Sequence, residues 1–226
     1  MTSIVIPAVS LKPEHYTYID NLLSCIDDSF PTIVCHDSTE ENFRDFIIDK
    51  YPKVINLYND GNRKNFCGNA NIGLRYCRDV LKDHAILCNQ DMLLPTFGYL
   101  DLMRCEGLAF ATTVEADNLN KANEEWLNLG VDLFENVPYT ALKGFCYFIS
   151  HKVLEEIGVL DERYEAGFDD DDYIVRALLA GFPVLLSKVR VRHFGSHIDQ
   201  TKTGESMTGA YQVKDLGHKL DRYKFS

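Results

Sequence analysis

Four consecutive aspartates, Asp169–Asp172, open a helical stretch that runs through Arg176. Four adjacent carboxylates repel one another, which raises the free energy of ionising all of them. The helix macrodipole stabilises acidic residues in a first turn, and capping accounts for one or two of the four. The others suit a cation site or a general base that accepts a proton from a hydroxyl group. On this run alone both interpretations stay open.

A second acidic position, Asp91, follows an apolar run that ends at Cys88, with the amide of Asn89 two residues before it. Carboxylate oxygens are hard ligands that suit Mg²⁺ or Mn²⁺, so Asp91 is a candidate to hold a divalent cation between two phosphates. The alternative is a plain turn, because Asn and Asp side chains bond to their own backbone.

Two histidines, His193 and His197, lie four residues apart near the end of the last apolar run. A neutral imidazole at the end of a strand can complete a metal site. A partly buried structural histidine explains either one equally well, so the pair alone does not decide.

Alternating apolar and helix-like segments must position these side chains in the first half of the chain. Short apolar runs bounded by turns predict strands, and apolar spacing of three to four residues predicts helices. In order, the segments are Ser3–Ile6, His15–Cys25, Thr32–Cys35, Asn42–Lys50, Val54–Tyr58, Asn69–Leu81 and His84–Cys88. This order predicts an α/β fold with a mostly parallel sheet, whose ligands bind beyond the carboxyl ends of the strands.

The second half of the chain is less regular. Its apolar runs predict two further strands and its helical spacing two further helices, and Glu115–Pro138 is left unassigned. The strands are Leu108–Val114 and Pro183–Val191, and the helices are His151–Ile157 and Asp171–Ala180. With no internal repeat and no flexible linker, residues 1–226 are expected to form a single domain.

Composition narrows the functional class. The formal net charge is −11, which argues against a nucleic-acid partner, although the segment 188–224 is basic. Seven scattered cysteines without a C-x-x-C pair favour free thiols over a disulfide framework. The N-terminal residues lack the features of a signal peptide, and no apolar run has transmembrane length. We therefore expect a cytoplasmic protein.

Together, these segments resemble family 2 glycosyltransferases of the GT-A fold, in the branch of rhamnosyltransferases and galactofuranosyltransferases. The most specific stretch is 142–181, where a Gly-rich strand, an acidic helix exit and an acidic run followed by Arg and Gly occur in the family's order and spacing. Asn71-Ile72-Gly73 is similar to the family's helix start before the metal-motif strand, and Asn89-Gln90-Asp91 stands where the family has D-x-D.

This resemblance implies an inverting glycosyltransferase that uses Mn²⁺ or Mg²⁺. Asp91 would ligate the metal that bridges the donor diphosphate, and His193 would be the later metal ligand. Asn89 replaces the first aspartate of the motif and would contact the metal, ribose or phosphate. Asp170 would be the catalytic base, with Asp169 beside it setting its charge and orientation.

The resemblance also implies a set of substrate contacts and a division of the chain. Residues 1–95 would form the nucleotide-binding half, residues 96–200 the acceptor and catalytic half, and residues 201–226 a C-terminal segment that is a candidate lid. The implied donor is a UDP-, GDP- or dTDP-sugar, the acceptor is a saccharide or a lipid-linked molecule, and a homodimer is left open. The implied substrate contacts are Pro7, Ala8, Asp37, Asn71, Gly144, Arg192 and Lys202.

Two other functions remain open from the sequence. One is the same chemistry on a modified nucleic-acid base, and the other is a non-catalytic relative that binds a nucleotide or a glycan. The presence of Asp91, Asp170 and His193 together argues against a decayed site.

Overall fold

A nine-stranded sheet with helices on both faces is the framework of the chain in the computed structural model. The structure describes residues 1–10, 13–37, 41–59, 66–95, 98–113, 134–136, 142, 144–164 and 168–194. The strands are β1 (Thr2–Ala8), β2 (Thr32–His36), β3 (Ile55–Tyr58), β4 (His84–Cys88), β5 (Met92–Leu93), β6 (Leu108–Thr113), β7 (Phe134–Asn136), β8 (Cys146–Ile149) and β9 (Val184–His193).

The strand order is β3-β2-β1-β4-β8-β6-β9-β5, and β7 pairs with β9 outside this path. The pairs β1–β2, β2–β3, β1–β4 and β6–β9 are parallel, whereas β8 is antiparallel to both β4 and β6. Strands β5 and β7 are antiparallel to β9. Six of the nine described strands, β1 to β4, β6 and β9, therefore point the same way, which confirms the predicted α/β fold with a mostly parallel sheet.

Five α-helices and two segments of other helix types cover this sheet in the described residues. A π-helical turn, Cys77–Leu81, continues α3, and a 3₁₀ helix, Gly98–Arg104, precedes β6. The α-helices are α1 (Glu14–Cys25), α2 (Glu41–Lys50), α3 (Phe66–Tyr76), α4 (His151–Glu156) and α5 (Asp169–Leu179). Each of the described helices is too short or too polar to cross a membrane.

Two hydrophobic cores lie on opposite faces of the sheet. Ile4 and Ile6 of β1 pack with α1 and α2 on one face, whereas Val5 packs with α3, α4 and α5 on the other. This alternation follows from the two-residue period of a strand. Because both faces are covered, β1, β2 and β4 read as continuous apolar runs rather than alternating ones.

Helix α3 approaches the sheet very closely at Gly73. A Cβ atom at this position would lie 2.5 Å from Cγ1 of Val5 and 2.7 Å from Sγ of Cys35. Only glycine leaves room for this contact between α3 and the two central strands. The close contact fixes the distance between α3 and the strands β1 and β2.

The structure changes the predicted boundaries at three places that matter for the site. Strand β1 continues through Pro7 to Ala8, since Pro7 lies beyond the last pair of β1 with β4, Val5 with Leu87. Strand β9 extends to His193, because its last two residues pair with β5. Helix α5 begins at Asp169 rather than Asp171, so all four aspartates lie in its first turn.

Candidate active site

The triplet Asn89-Gln90-Asp91 follows β4 directly, and each of its residues is bonded next to an end of a different strand. The backbone N–H of Asn89 donates to the carbonyl of Phe145, just before β8, over 2.9 Å. The side chain of Gln90 bonds to the backbone of Val9, just after β1. The carbonyl of Asp91 accepts from the N–H of Phe194, just after β9, over 3.0 Å. The triplet is thereby held at the sheet edge where the sequence placed a ligand site.

Asn89, Asp91 and His193 form a polar cluster beside this triplet. Nε2 of His193 lies 3.2 Å from Oδ1 of Asp91 and 3.5 Å from Nδ2 of Asn89. Among the described residues, Oδ1 of Asp91 and Oδ1 of Asn89 are both buried without a hydrogen-bond partner. The contact of Asp91 with His193 is close but lacks hydrogen-bond alignment. Buried oxygens in proteins normally have partners, so these two require an explanation.

The donor set of this cluster suits a divalent cation. A carboxylate oxygen, an amide oxygen and an imidazole nitrogen are all accepted by Mn²⁺, and Mg²⁺ takes the two oxygens. In the described part of the chain, no group of three or more His, Cys, Asp or Glu side chains is placed to hold a metal. The third protein ligand would therefore have to be the amide of Asn89, which is a weaker ligand than the aspartate it replaces.

Gly144 and Phe145 connect this cluster to the acidic start of α5. The Phe145 ring stacks on the His193 ring with 5.2 Å between centroids. A Cβ atom on Gly144 would lie 2.6 Å from both Cβ and Oδ2 of Asp170. Since adjacent Cα atoms are about 3.8 Å apart, this dipeptide places Asp170 and His193 on two sides of one short segment.

The four aspartates of α5 have different environments. Asp172 is buried, and its Oδ2 accepts from Nε of Arg176 over 2.8 Å, so it has a structural ion pair. Asp169 is also buried, whereas Asp170 and Asp171 are half-buried. Oδ1 of Asp170 accepts from the N–H of Asp171 over 3.0 Å, and Oδ2 faces Gly144. Asp170 thus has a carboxylate oxygen directly beside Gly144.

A strained backbone residue precedes these aspartates. Phe168 has φ 62° and ψ 0°, in the left-handed region that large side chains rarely adopt. Such strain costs on the order of 1–3 kcal/mol and persists only where the surroundings impose it. Here the Phe168 side chain packs against the core on the α3 face, which holds the start of α5 at its position.

A buried phenol lies near the acidic start of α5. Tyr147 of β8 is fully buried, and its hydroxyl has no hydrogen-bond partner in the part of the chain that the structure describes. Burial first, and then the charge of Asp169, raise the pKa of Tyr147 well above its usual value. The phenol therefore stays neutral near Asp169 and Asp170.

A second polar group lies at the carboxyl ends of β1, β2 and β3, where the sequence placed the nucleoside contacts. Pro7 is buried in β1, so it serves as a wall rather than a polar contact. Oδ1 of Asp37 accepts from Nδ2 of Asn59 over 3.1 Å, and its N–H donates to the carbonyl of Ala8 over 2.9 Å. Nδ2 of Asn69 donates to the carbonyl of Cys35 over 2.8 Å.

His36 ends β2 beside this group. Its Nε2 lies 2.7 Å from Oδ1 of Asn56, its ring stacks on Tyr58 with 5.0 Å between centroids, and its Nδ1 is buried without a partner. Because the amide oxygen can only accept, Nε2 carries the proton. Burial lowers the pKa of His36, so the ring is neutral at pH 7.

Asn71 does not join this site, contrary to the role that the resemblance implied. Its side chain is fully buried, and Nδ2 donates to the carbonyl of Leu160 over 2.8 Å and to Glu162 over 3.1 Å. Its Oδ1 accepts from the N–H of Leu160 over 3.0 Å. The amide is occupied in tying α3 to the segment after α4, so the structure gives Asn71 a structural role instead of a substrate contact.

Arg192 lies next to His193 in β9, but its guanidinium has a different environment. It is 7% exposed and lies 4.8 Å from the centroid of the Phe194 ring, which stacks on Tyr18 of α1. Within the described residues, its Nη1 is buried without a hydrogen-bond partner. This free donor keeps Arg192 as a candidate contact for a diphosphate. The candidates His197 and Lys202 and the proposed lid over 201–226 lie outside the described residues.

Sequence reasoning missed Gln90, Asn69 and Phe145, which organise the site without being acidic or basic. Gln90 stands inside the metal motif, and an uncharged amide in the middle of such a motif was the signal available for it. Asn69 and Phe145 acquire their roles only through contacts with distant strands. A single sequence contains no signal for such contacts.

The similarity of this chain to known proteins is found by comparing structures. The sequence matches no protein-family model and no curated protein. The chain is similar to the crystal structure of S. aureus TarS 1–349, with a TM-score of 0.58 and 12% identity over 82% of this chain and 57% of that one. The same protein in complex with UDP-GlcNAc has a TM-score of 0.57 and 14% identity over 87% and 60% of the two chains.

A second similar structure is the catalytic domain of Drosophila β1,4-galactosyltransferase 7 in complex with xylobiose. The TM-score is 0.55, with 11% identity over 95% of this chain and 79% of that one. The chain thus spans little more than half of the TarS 1–349 structure. At these identities the likeness is one of fold, and it establishes that the described chain has the GT-A fold that its sequence motifs predicted.

Proposed function

We propose that this chain transfers a sugar from a nucleoside diphosphate to a hydroxyl acceptor, with inversion at the anomeric carbon. The observation that carries the proposal is the meeting of Asn89, Asp91 and His193 with Asp170 across the segment Gly144–Phe145. This arrangement puts a candidate site for a charged leaving group next to a candidate base. The GT-A fold supports it, and S. aureus TarS with this fold has been crystallised with UDP and with UDP-GlcNAc.

In this proposal the donor lies along the carboxyl edge of β3, β2, β1 and β4. Asp37 accepts from the nucleobase or ribose, and Pro7 and Ala8 form the wall of that pocket. Asn89, Asp91 and His193 would hold Mn²⁺ or Mg²⁺, which would supply positive charge against the leaving diphosphate. Arg192, the residue before His193 in β9, is a candidate for a further contact to the diphosphate.

The transfer step uses Asp170 as general base, and Asp169 orients it. The acceptor hydroxyl gives its proton to the Asp170 carboxylate as its oxygen bonds to the anomeric carbon. The bond between that carbon and the phosphate oxygen breaks, and the diphosphate leaves with the electron pair. Attack from the face opposite the diphosphate inverts the configuration. Gly144 leaves the space in which Asp170 faces the acceptor.

A thermal-shift panel tests the donor site first. The wild-type chain is measured with UDP, GDP, dTDP and CMP, each with and without Mn²⁺. A nucleotide at 100 times its Kd should stabilise the fold by about 2.7 kcal/mol. We expect one nucleotide to stabilise the chain in a Mn²⁺-dependent way and the effect to disappear in Asp91→Ala. The control Asp79→Ala removes an exposed carboxylate in the turn that leads into the amino end of β4, and it should keep the effect.

Other results of this panel contradict parts of the proposal. Stabilisation that is equal with and without Mn²⁺ would remove the metal from it. No stabilisation by any of the four nucleotides would remove the donor site. Binding without turnover of the matching nucleotide sugar would favour a non-catalytic relative, which the weak amide ligand Asn89 makes a specific alternative.

A further inference from the structure

We infer that Gln90 is a positioning residue that sets the distance between the nucleoside end and the metal end of the donor site. The inference rests on the proposed function and concerns a side chain that lies between the two metal-motif residues Asn89 and Asp91. Gln90 is 2% exposed, so its amide needs partners inside the protein. Both polar atoms of the amide form hydrogen bonds with the backbone of a single residue.

Gln90 forms a two-point clamp on Val9. The N–H of Val9 donates to Oε1 of Gln90 over 2.6 Å, and Nε2 of Gln90 donates to the carbonyl of Val9 over 3.0 Å. Exchanging the amide oxygen and nitrogen would set donor against donor and acceptor against acceptor, so the orientation is defined. The clamp therefore fixes both the distance and the orientation of the Val9 backbone relative to the triplet.

The clamp bridges a gap in the sheet. The pairing of β1 with β4 ends at Val5 and Leu87, although β1 continues for three more residues. In the described residues, the next hydrogen bonds that join these two chain segments are those between Gln90 and Val9. Ligands of parallel sheets bind where neighbouring strands separate at their carboxyl ends. Gln90 thus spans the opening into which a nucleoside diphosphate would extend.

Each end of the clamp leads to one end of the donor site. Val9 follows Ala8, whose carbonyl accepts from the N–H of Asp37 over 2.9 Å, so the β1 exit is bonded to the nucleoside side. Gln90 precedes Asp91, which belongs to the metal cluster. The Val9 carbonyl also lies 2.9 Å from Nδ1 of His15, so α1 holds Val9 independently. What Gln90 adds is the link between the two sides rather than the local fold of either one.

This role makes a prediction that a purely structural amide does not. Asn89 and Asp91 have their own backbone anchors at Phe145 and Phe194, so the metal cluster should survive without the clamp. A ligand that touches both ends, such as UDP, should lose affinity, because its base and its diphosphate no longer meet a matched pair of sites.

The test compares Gln90→Met, which keeps the volume but removes both hydrogen bonds, with the matched control Ser3→Ala. Ser3 is equally buried, lies at the opposite end of β1, and donates to Asp83 over 2.9 Å. Calorimetry measures the Kd of Mn²⁺ alone and of UDP, GDP or dTDP with saturating Mn²⁺. For Gln90→Met we expect nucleotide affinity to fall about tenfold or more, with Mn²⁺ affinity within about twofold of wild type. Ser3→Ala should lower the melting temperature by about as much as Gln90→Met does, but it should leave both affinities unchanged.

Three outcomes would overturn the inference in distinguishable ways. If wild type binds a nucleotide and Gln90→Met binds it equally well, the positioning role fails and the proposed function stands. If Gln90→Met loses Mn²⁺ and nucleotide together, Gln90 supports only the metal loop. If wild type binds none of the nucleotides, the proposed function fails and the inference with it. Should Gln90→Met not fold, Gln90→Asn keeps a buried amide that is one methylene too short for both bonds, and the same expectations apply.

Discussion

Gly144 lies in tight contact with Asp170, the proposed base, and the contact leaves no space for a methyl group at position 144. A Cβ atom at position 144 would lie 2.6 Å from Oδ2 and 2.8 Å from Cγ of Asp170, so the carboxylate would have to move. Glycine here is required for space next to the proposed base. The three atoms nearest to a Cβ at position 144 all belong to Asp170 and none to the candidate metal ligands, so the two parts of the site can be tested separately.

Gly144→Ala should lower kcat with little effect on donor binding. Misplacing a catalytic group by about 1 Å costs on the order of 10²-fold in rate, and Asp170→Asn, which removes the base, sets the limit at about 10²- to 10⁴-fold. Initial rates of nucleotide-sugar turnover, with UDP binding measured in parallel, check this prediction. Asp171→Asn is the matched control from the same helical turn and should keep activity. A Gly144→Ala protein with wild-type kcat would show that Asp170 is not the base.

At the residue scale, the sequence pointed to those candidate site residues whose amino-acid types have few other roles in proteins. Asp91, Asp170 and His193 were singled out from their types and positions, and the structure brings them to one edge of the sheet. Asn71 was misjudged, because a helix-start asparagine that binds a backbone segment 89 residues away has the same sequence as one that binds a substrate. Gln90 was passed over for the complementary reason, since its partner Val9 is 81 residues away.

At the scale of secondary structure, the end of β2 contains a buried titrating group. His36 donates from Nε2 to Asn56, and burial lowers its pKa from the usual value near 6.5. Above pH 6.5 the ring is neutral in both the folded and the unfolded chain. Below it, the unfolded chain binds a proton that the folded chain does not, so the free energy of unfolding must fall as the pH falls.

We therefore expect His36→Gln to flatten the pH dependence of stability between pH 7.5 and 5.5. The glutamine side chain is uncharged over this range and retains a donor for Asn56. Urea unfolding of both proteins at several pH values gives the free energies of unfolding. The free energy of unfolding of the variant, relative to that of the wild type, should increase as the pH falls. Parallel curves would mean that His36 is protonated equally easily in both states.

Most elements of the fold were predictable because their apolar periods are long and uninterrupted. Strand β4 has the predicted boundaries His84–Cys88, and α1 and α2 each begin one residue earlier than predicted. Strands β5 and β7 were not predicted, because two or three residues contain no period. Both pair with β9, so their existence depends on a strand about 50 to 100 residues further along the chain.

At the scale of the whole molecule, the burial of the cysteines shows how closely the side chains around them are packed. All seven are free, six are buried and Cys25 is half-buried. Burial raises the pKa of the Cys35, Cys67 and Cys88 thiols, and buried neutral thiols react slowly. The predicted absence of a disulfide framework agrees with these free thiols.

Thiol titration should therefore distinguish folded from unfolded chains clearly. With an aromatic disulfide reagent, we expect at most one fast-reacting thiol, Cys25, in the native protein, and all seven after unfolding in guanidinium chloride. The melting temperature should be the same with and without a reductant. Several fast thiols in the native protein, or a reductant-dependent melting temperature, would contradict the buried and unpaired state of the cysteines.

The long separation between Asn89 and His193, 104 residues along the chain, has a consequence for folding. Strands β1 to β4, which carry the proposed nucleoside contacts, are consecutive in the chain, whereas the cluster of Asn89, Asp91 and His193 is complete only when β9 has paired beside β6. Contacts of such high sequence separation form slowly, because loop closure must be completed before they stabilise the chain. The first 95 residues can thus assemble a half-sheet and still lack His193, a proposed metal ligand. The proposed affinity for a cation would then appear late, only when synthesis and folding have reached the far end of the sheet.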